Sequence, residues 1–501
     1  MNNSPDKWYE AVVLPHSRLA SRLQQKTFII SIGVLLIALN LYSPAEPTVT
    51  QRLLASLIII LAAVPMVLCV SGKEHGIPFM PFFTAIYAAY YALPIFVLEK
   101  FTIAWYLNRP IPDSFLEQAL ILALAGLGFL FVGYYIFAPR ALPRIVPKLN
   151  LRWEDYASVR LFAILIGIVG VSVYYIKSAY RFPLALDQVI YFITDFSLFS
   201  IAILLVLQHE GRIGLFGKSL LWIVILPMRV LLGLATGLSW QGIQVILLIF
   251  LTYTTLKHRV PWKALVVGGI ALLLSRPVQD EFRALTWTGT ALYESPAAKA
   301  DLYLGTAWEF VTGEVLLDTD VVQPFVSRLA HLMMFAEVIE ATPTYVPFWE
   351  GETYYPLLFK PIPRFLYPDK PEEITGQTFG HRYGFISEGD DSTSNNLPQL
   401  VEFYVNFGAV GVLVGMFLIG VCYNSIQCIF IHSGMGLGAV VGSIYIFTQL
   451  LSIESAFSSV FGGLFWQLIF LGLLNFSIKL TERDRVTDEM RVFKFLREVP
   501  D

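Results

Sequence analysis

The sequence predicts an all-α, polytopic membrane protein with about twelve transmembrane helices and one large structured extracytoplasmic loop. Three observations predict it. Of 501 residues, 56% are hydrophobic and only 15% are charged, against about a quarter charged in soluble domains. Mean hydropathy is +0.63. Apolar runs also recur near the roughly 20 residues that a bilayer crossing needs. The net charge of −3 comes with no basic domain, so nucleic acid is not an expected partner. Cys69, Cys422 and Cys428 all lie in apolar runs, which argues against disulfides and a cysteine metal site. The first apolar run starts near Phe28 and lacks a cleavage site, so no cleavable signal peptide is expected.

In chain order, the expected spans centre on 28–42, 53–71, 79–98, 116–137, 158–177, 189–208, 219–236, 241–257, 263–276, 400–428, 435–452 and 458–478. Basic residues set their orientation. Lys7, Arg18, Arg22 and Lys26 precede the first span, and Arg140, Arg144, Lys148 and Arg152 follow the fourth. Arg212 and Lys218 follow the sixth, and Lys257, Arg259 and Lys263 the eighth; the tail adds Lys479, Arg483 and Arg485. With twelve spans all of these fall on one side, which makes it cytoplasmic with both termini inside. The domains expected are an N-terminal helical region 1–275, an extracytoplasmic loop 276–398, three C-terminal spans within 399–478 and a cytoplasmic tail 479–501.

The loop is too long for an ordinary connection and is expected to be functional and partly structured. It holds about eighteen acidic and eight basic residues, a balance that disfavours a generic polyanion binder. Within it, Gln323 to Glu340 reads as an amphipathic helix. Phe325, Leu329, Leu332, Met333 and Ala336 form its stripe, with Arg328 and His331 at the edge. Tyr345 to Leu358 is aromatic and proline-rich, an irregular strap or a surface lying among head groups.

The stretch from Lys360 to Gly411 carries the strongest local signals. Pro361, Pro363, Pro368 and Pro371 forbid helix in its first part. Its last part reads as a helix capped by Asn396, with Pro398 in the first turn. Lys360, Arg364 and Lys370 are fixed cations, and Glu402 and Asn406 share one helix face. This suits an anionic head group held at a membrane surface. Gly411, Gly415, Gly434, Gly438 and Gly442 are expected to let the last helices pack closely. Arg229, in mid-span, needs a partner or a wet cavity. Asp195 is the candidate partner, and a structural ion pair stands beside a substrate role. Glu454 reaches either the same cavity as Glu402 or the interface. Asp390 and Asp391 read as solvated loop, and no metal is expected.

An ordered set of motifs gives a resemblance. Gln279-Asp-Glu-Phe-Arg283 follows the ninth span, and Arg328 on a helix precedes Thr342-Pro343. Then come Gly351-Glu-Thr-Tyr354, Ile362-Pro-Arg364, Tyr367-Pro-Asp-Lys-Pro371, Glu402-Phe-Tyr-Val-Asn-Phe-Gly408 and Gly411. The set resembles the bacterial oligosaccharide repeat-unit polymerases, the O-antigen polymerase (Wzy-type) family, over about the last half of the chain. A weaker echo lies in Thr236-Gly-Leu-Ser-Trp-Gln-Gly242. Family members often carry an arginine there, where this chain has Leu238, Ser239 and Trp240. Either Arg229 compensates or the substrate differs.

The resemblance implies a GT-C-like glycosyltransferase in the bacterial cytoplasmic (inner) membrane, with its loop periplasmic. Such enzymes take undecaprenyl-diphosphate-linked oligosaccharide as both donor and acceptor. They work among membrane lipids with a separate chain-length regulator and no cofactor. Charge grows on the leaving diphosphate, and arginine suits it. Arg283, Arg328 and Arg364 are therefore the expected diphosphate or glycan ligands, with Lys360, Lys370, Asn406 and Arg229. The acceptor hydroxyl needs a proton acceptor, for which Glu402, oriented by Asn406, and His331 are the candidates. Self-tying of the loop, head-group binding and a helix-terminal charge at Glu402 are the plainer alternatives. An O-antigen ligase, a lipid-linked oligosaccharide flippase and a non-catalytic envelope scaffold are the competing functions.

Overall fold

The computed structural model describes residues 8, 12, 18–41, 43, 46–74, 76–98, 111–180, 182–236, 239–288, 295–312, 329–371, 374–390 and 393–498. Among these residues the architecture is helical, with no strand. The helices are α1 (Arg18–Leu41), α2 (Val49–Val70), α3 (Phe79–Tyr91), α4 (Asp113–Ala141), α5 (Tyr156–Ala179), α6 (Leu184–Thr194), α7 (Phe196–His209) and α8 (Gly214–Leu234). They continue as α9 (Ser239–Lys257), α10 (Trp262–Arg283), α11 (Pro296–Thr312), α12 (His331–Ala341), α13 (Thr375–Arg382), α14 (Gln399–Phe430), α15 (Leu437–Leu450) and α16 (Phe457–Glu498).

Nine helical segments among the described residues are long and apolar enough to cross a membrane. They coincide with the first seven, the tenth and the twelfth expected spans. The eighth, ninth and eleventh expected spans are also helices, α9, α10 and α15, but they are not among the nine. The protein is thus a helical membrane protein.

Local chemistry explains the joints of the bundle. Thr48 and Gln51 form a capping box on α2, and both reach across to α4. Thr48 Oγ1 donates to Glu117 at 3.0 Å and Gln51 Nε2 to Asp113 at 2.9 Å. Helices α4 and α14 touch backbone to backbone. A Cβ on Gly133 would lie 2.3 Å from the Phe417 carbonyl oxygen, and one on Gly420 would lie 2.2 Å from that of Leu130. Only glycine at both positions allows this approach. Of the glycines expected to mediate packing, Gly438 receives the Trp153 ring and Gly442 receives Leu471 of α16. Gly411 and Gly415 instead meet Phe403, on the first turns of their own helix. The reason is a break in α14, described below.

The helix expected over 323–340 begins at His331, and residues 323–328, Arg328 included, lie outside the described residues. Its amphipathic reading is corrected. Eight of its residues are buried, Phe335, Glu337 and Val338 as well as the stripe, because α12 is wedged against α3, α4 and α14. The loop region thus drives one helix into the bundle. The segment 360–371 is non-helical, as its prolines require, and consists of successive turns.

Candidate functional site

Helix α14 is discontinuous. Phe407 (φ −138°, ψ 16°) and Gly408 (φ 63°, ψ −152°) leave the helical region, so a short piece from Gln399 to Asn406 precedes the long one. Gly408 adopts a conformation essentially closed to other residues. Asn406 holds the break together. Its Oδ1 accepts from the Gly351 N–H at 2.8 Å, and its Nδ2 donates to Thr353 Oγ1 at 2.9 Å and to the Glu402 carbonyl at 2.8 Å. The Trp349 N–H adds a bond to the Val405 carbonyl at 2.9 Å. The expectation that Asn406 orients the Glu402 carboxylate is therefore corrected. The amide is spent on the 349–353 strap and on the main chain of Glu402.

Glu402 is fully buried, and its Oε2 accepts from the Phe457 N–H at 2.5 Å. Phe457 opens α16, so the carboxylate meets the positive end of a neighbouring helix, which offsets part of its desolvation. Burial and this charge push the nearby Tyr354 phenol well above its ordinary range. Asn396 makes no cap. Pro398 occupies the N-cap position, and the Gln399 N–H bonds to the Ile453 carbonyl at 3.3 Å instead. The turn 451–456, between α15 and α16, thus supplies what the cap was expected to supply.

That turn also carries Glu454, which is half-buried in packed structure and accepts from Tyr90 Oη at 3.3 Å. The Tyr90 ring stacks on His331, with centroids 4.1 Å apart. His331 is 8% exposed and opens α12. The two expected proton acceptors therefore adjoin one turn, Glu402 through the Phe457 N–H and His331 through Tyr90 and Glu454.

A second polar centre lies within the span formed by α8. Arg229 is 2% exposed, and its guanidinium sits over the Tyr174 ring at 4.5 Å. Nη1 donates to Gln241 Oε1 at 3.3 Å, Tyr174 Oη donates to the same oxygen, and Nε has no hydrogen-bond partner. Among the described residues no carboxylate forms an ion pair with Arg229. Asp195, the expected partner, makes no direct ion pair with Arg229 but interacts with its charge across the bundle, while its carboxylate accepts from Tyr445 Oη at 3.1 Å and Gln449 Nε2 at 3.5 Å. Gln449 in turn accepts from Gln244 Nε2 at 2.5 Å. A polar track thus runs from Asp195 through Gln449, on the last turn of α15, toward the turn that carries Glu454.

The other expected ligands have contacts of their own. Arg283 ends α10 and pairs with Asp280 at 3.7 Å. Its neighbour Phe282 packs with Val278, Tyr303 and Leu234, the last residue of α8. Arg283 is therefore carried toward the end of the helix that holds Arg229. Arg364 donates to the Pro371 carbonyl at 3.4 Å, and Lys370 to the Ile362 carbonyl at 2.9 Å. Lys360 lays its aliphatic stem against Gly462 of α16. Lys360 thus meets α16, the helix whose first N–H holds Glu402, whereas Arg364 and Lys370 reach carbonyls of the strap. These two tie the strap to itself, because a proline-rich chain leaves carbonyls without helical partners.

Residues 148–482 match the family model described as Domain of unknown function (DUF8712). The chain belongs to the DUF8712 family. No curated protein and no solved structure matches it. The DUF8712 region contains Arg229, His331, Glu402 and the strap, whereas Tyr90 and the first four helices precede it. Within it, the reading of the sequence missed Tyr174, Gln241, Gln244, Tyr445 and Gln449. The signal available was polar side chains inside apolar helices, which are costly there and persist where they have work.

Proposed function

We propose that this protein is a membrane glycosyltransferase that polymerises undecaprenyl-diphosphate-linked oligosaccharide repeat units into a surface polysaccharide on the outer face of the bacterial cytoplasmic membrane. The reading keeps a twelve-span, GT-C-like topology with both termini cytoplasmic and the loop periplasmic. The observation that carries it is Arg229, a buried guanidinium with an unpartnered Nε and, among the described residues, no carboxylate at ion-pair distance. A cation in a membrane interior whose charge meets Asp195 only at a distance remains costly. An anionic substrate group resolves that cost, and a diphosphate that gains charge as its sugar departs would be stabilised most in the transition state.

In this reading Arg229 grips the leaving diphosphate, Tyr174 and Gln241 hold the guanidinium in place, and Arg283 is a second cation near the end of the same helix. The anomeric carbon–oxygen bond to the diphosphate breaks as the acceptor hydroxyl attacks. The hydroxyl proton passes to His331, backed by Tyr90 and Glu454. Glu402 is assigned to holding α16, since its carboxylate serves the Phe457 N–H. No cofactor enters this scheme.

A flippase reading has one observation in its favour, the break at Phe407–Gly408, because transporters use interrupted helices. Deletion of the gene with gel analysis of surface glycans separates the readings. Polymerase function predicts loss of the long ladder with one repeat unit retained. Accumulated unligated polymer indicates a ligase, absence of any outer-face glycan indicates a flippase, and an unchanged ladder removes all three.

A further inference from the structure

Residues 352–371 form a strap with an unusual combination of properties. Tyr355 is 55% exposed, Leu358 70%, Phe365 52% and Leu366 68%. This apolar surface does not stand clear of the bundle. The Lys360 carbonyl accepts from Trp466 Nε1 at 3.1 Å, and the Lys360 stem covers Gly462. Trp466 lies nine residues into the span Phe457–Thr481, about 13 Å along the axis at 1.5 Å per residue. The strap is therefore docked well inside the candidate span of α16. Next to the docking point, Phe465, Leu468 and Ile469 of α16 are exposed, as are Val410, Val414 and Leu418 of α14. The apolar side chains of the strap continue the lipid-facing surface of two spanning helices.

Backbone outside an α-helix at such a depth, here a 3-10 helix over Glu352–Leu358 followed by turns, must satisfy its own polar groups. The strap does so in two ways. Pro356, Pro361, Pro363, Pro368 and Pro371 have no N–H to satisfy. The N–H groups of Phe359, Lys360, Ile362, Leu366, Tyr367 and Lys370 all bond to carbonyls of the strap itself. Arg364 and Lys370 cover the Pro371 and Ile362 carbonyls. Arg364, Lys370 and Lys360 all stay partly in contact with solvent. Polar groups mark the strap's borders: Glu352 pairs with Arg382 at 2.9 Å on one side, and Asp369 is exposed on the other.

We propose that this strap is immersed in one lipid leaflet, with its apolar side chains among acyl chains and with Lys360, Arg364 and Lys370 at the level of phospholipid phosphates. Its cations are then a lipid-binding rim, and the strap fixes the height of the broken α14, to which Asn406 ties it. This inference does not depend on the glycosyltransferase reading.

The test uses the full-length protein in nanodiscs doped with phospholipids that carry a photoactivatable diazirine in the acyl chain. After irradiation, mass spectrometry maps the crosslinks. The expected result is labelling within 352–371 at a level comparable to that of 465–469 on α16. Labelling of 465–469 with none in the strap overturns the proposal. A second arm places the diazirine in the head group of phosphatidylglycerol or of a neutral phosphate-free glycolipid. Combining Lys360→Gln, Arg364→Gln and Lys370→Gln should lower phosphatidylglycerol labelling of the strap several-fold and leave glycolipid labelling unchanged. Equal phosphatidylglycerol labelling in the wild type and the triple variant overturns the role of the cations. Spin labels on Leu366→Cys and Glu388→Cys supply a readout independent of crosslinking. The first should be shielded from a water-soluble nickel relaxant and the second open to it; equal accessibility contradicts immersion.

Discussion

The Gly351 N–H donates to Asn406 Oδ1 at 2.8 Å. This bond joins the segment before the strap to a candidate spanning helix at the point where the helix breaks. Asn406 is buried, and all three of its bonds go to main chain or to Thr353. Asn406→Leu removes every one of them and leaves the Gly351 N–H and the Glu402 carbonyl without their partner. The expected loss of stability is on the order of 2–4 kcal/mol, since each unsatisfied buried group costs about 1–3 kcal/mol. Thermal unfolding in detergent measures it, and limited proteolysis should show new cleavage within 342–360.

Gly408→Ala acts on the same joint by another route. At φ 63° and ψ −152° a side chain is strained, and its Cβ would meet the Phe348 ring at 3.2 Å. We expect a loss of about 1–3 kcal/mol, measured by thermal unfolding. An unchanged melting temperature would mean that the break is not needed.

Glu402 separates its two expected roles by substitution. Glu402→Gln keeps an oxygen acceptor for the Phe457 N–H, so the variant should fold and retain most activity. Glu402→Leu should be strongly destabilised, because the first turn of α16 loses its acceptor. Glycan ladders from cells that express each variant at equal level make the comparison. A folded Glu402→Gln protein without ladders would return the proton-accepting role to Glu402.

Much of this was legible in the sequence, and the reasons for the rest are physical. Long apolar runs set the nine strong spans, because span length and hydropathy are local properties. Proline positions set the strap, because the pyrrolidine constraint is local too. Partner choice was not legible. Asn406 lies four residues from Glu402 on one helix face, yet its side chain turns to a strap more than fifty residues earlier. Arg229 and Asp195 do interact by charge, yet Gln241 takes the hydrogen bond of the one and Tyr445 and Gln449 those of the other. Such choices depend on tertiary neighbours that spacing does not encode. The α12 stripe gave an amphipathic helix because a fully enclosed helix and a half-buried one differ only in their surroundings.

Glu74 gives a pH signature. It follows α2 and accepts from Tyr135 Oη at 3.0 and 3.2 Å. Burial raises its carboxyl to about 7, with the Tyr135 bond opposing. A raised carboxyl favours the folded state while protonated, so this contribution is complete below the unfolded value near 4.5 and is lost as pH rises through about 7. Glu74→Gln should therefore match the wild type in thermal stability at pH 4.5 and exceed it at pH 8. A constant difference across that range would contradict the assignment.

The central claim is that Arg229 binds the diphosphate of a lipid-linked donor. The most direct measurement is polymer formation by purified protein in nanodiscs supplied with undecaprenyl-diphosphate-linked repeat units, comparing the wild type with Arg229→Gln and Arg229→Lys. The account predicts chain extension by the wild type, and a loss of about a hundredfold or more in folded Arg229→Gln, on the scale typical of removing one donor to a developing anion. Arg229→Lys should be intermediate, since lysine keeps the charge but not the two-pronged geometry. Extension by Arg229→Gln at the wild-type rate would contradict it.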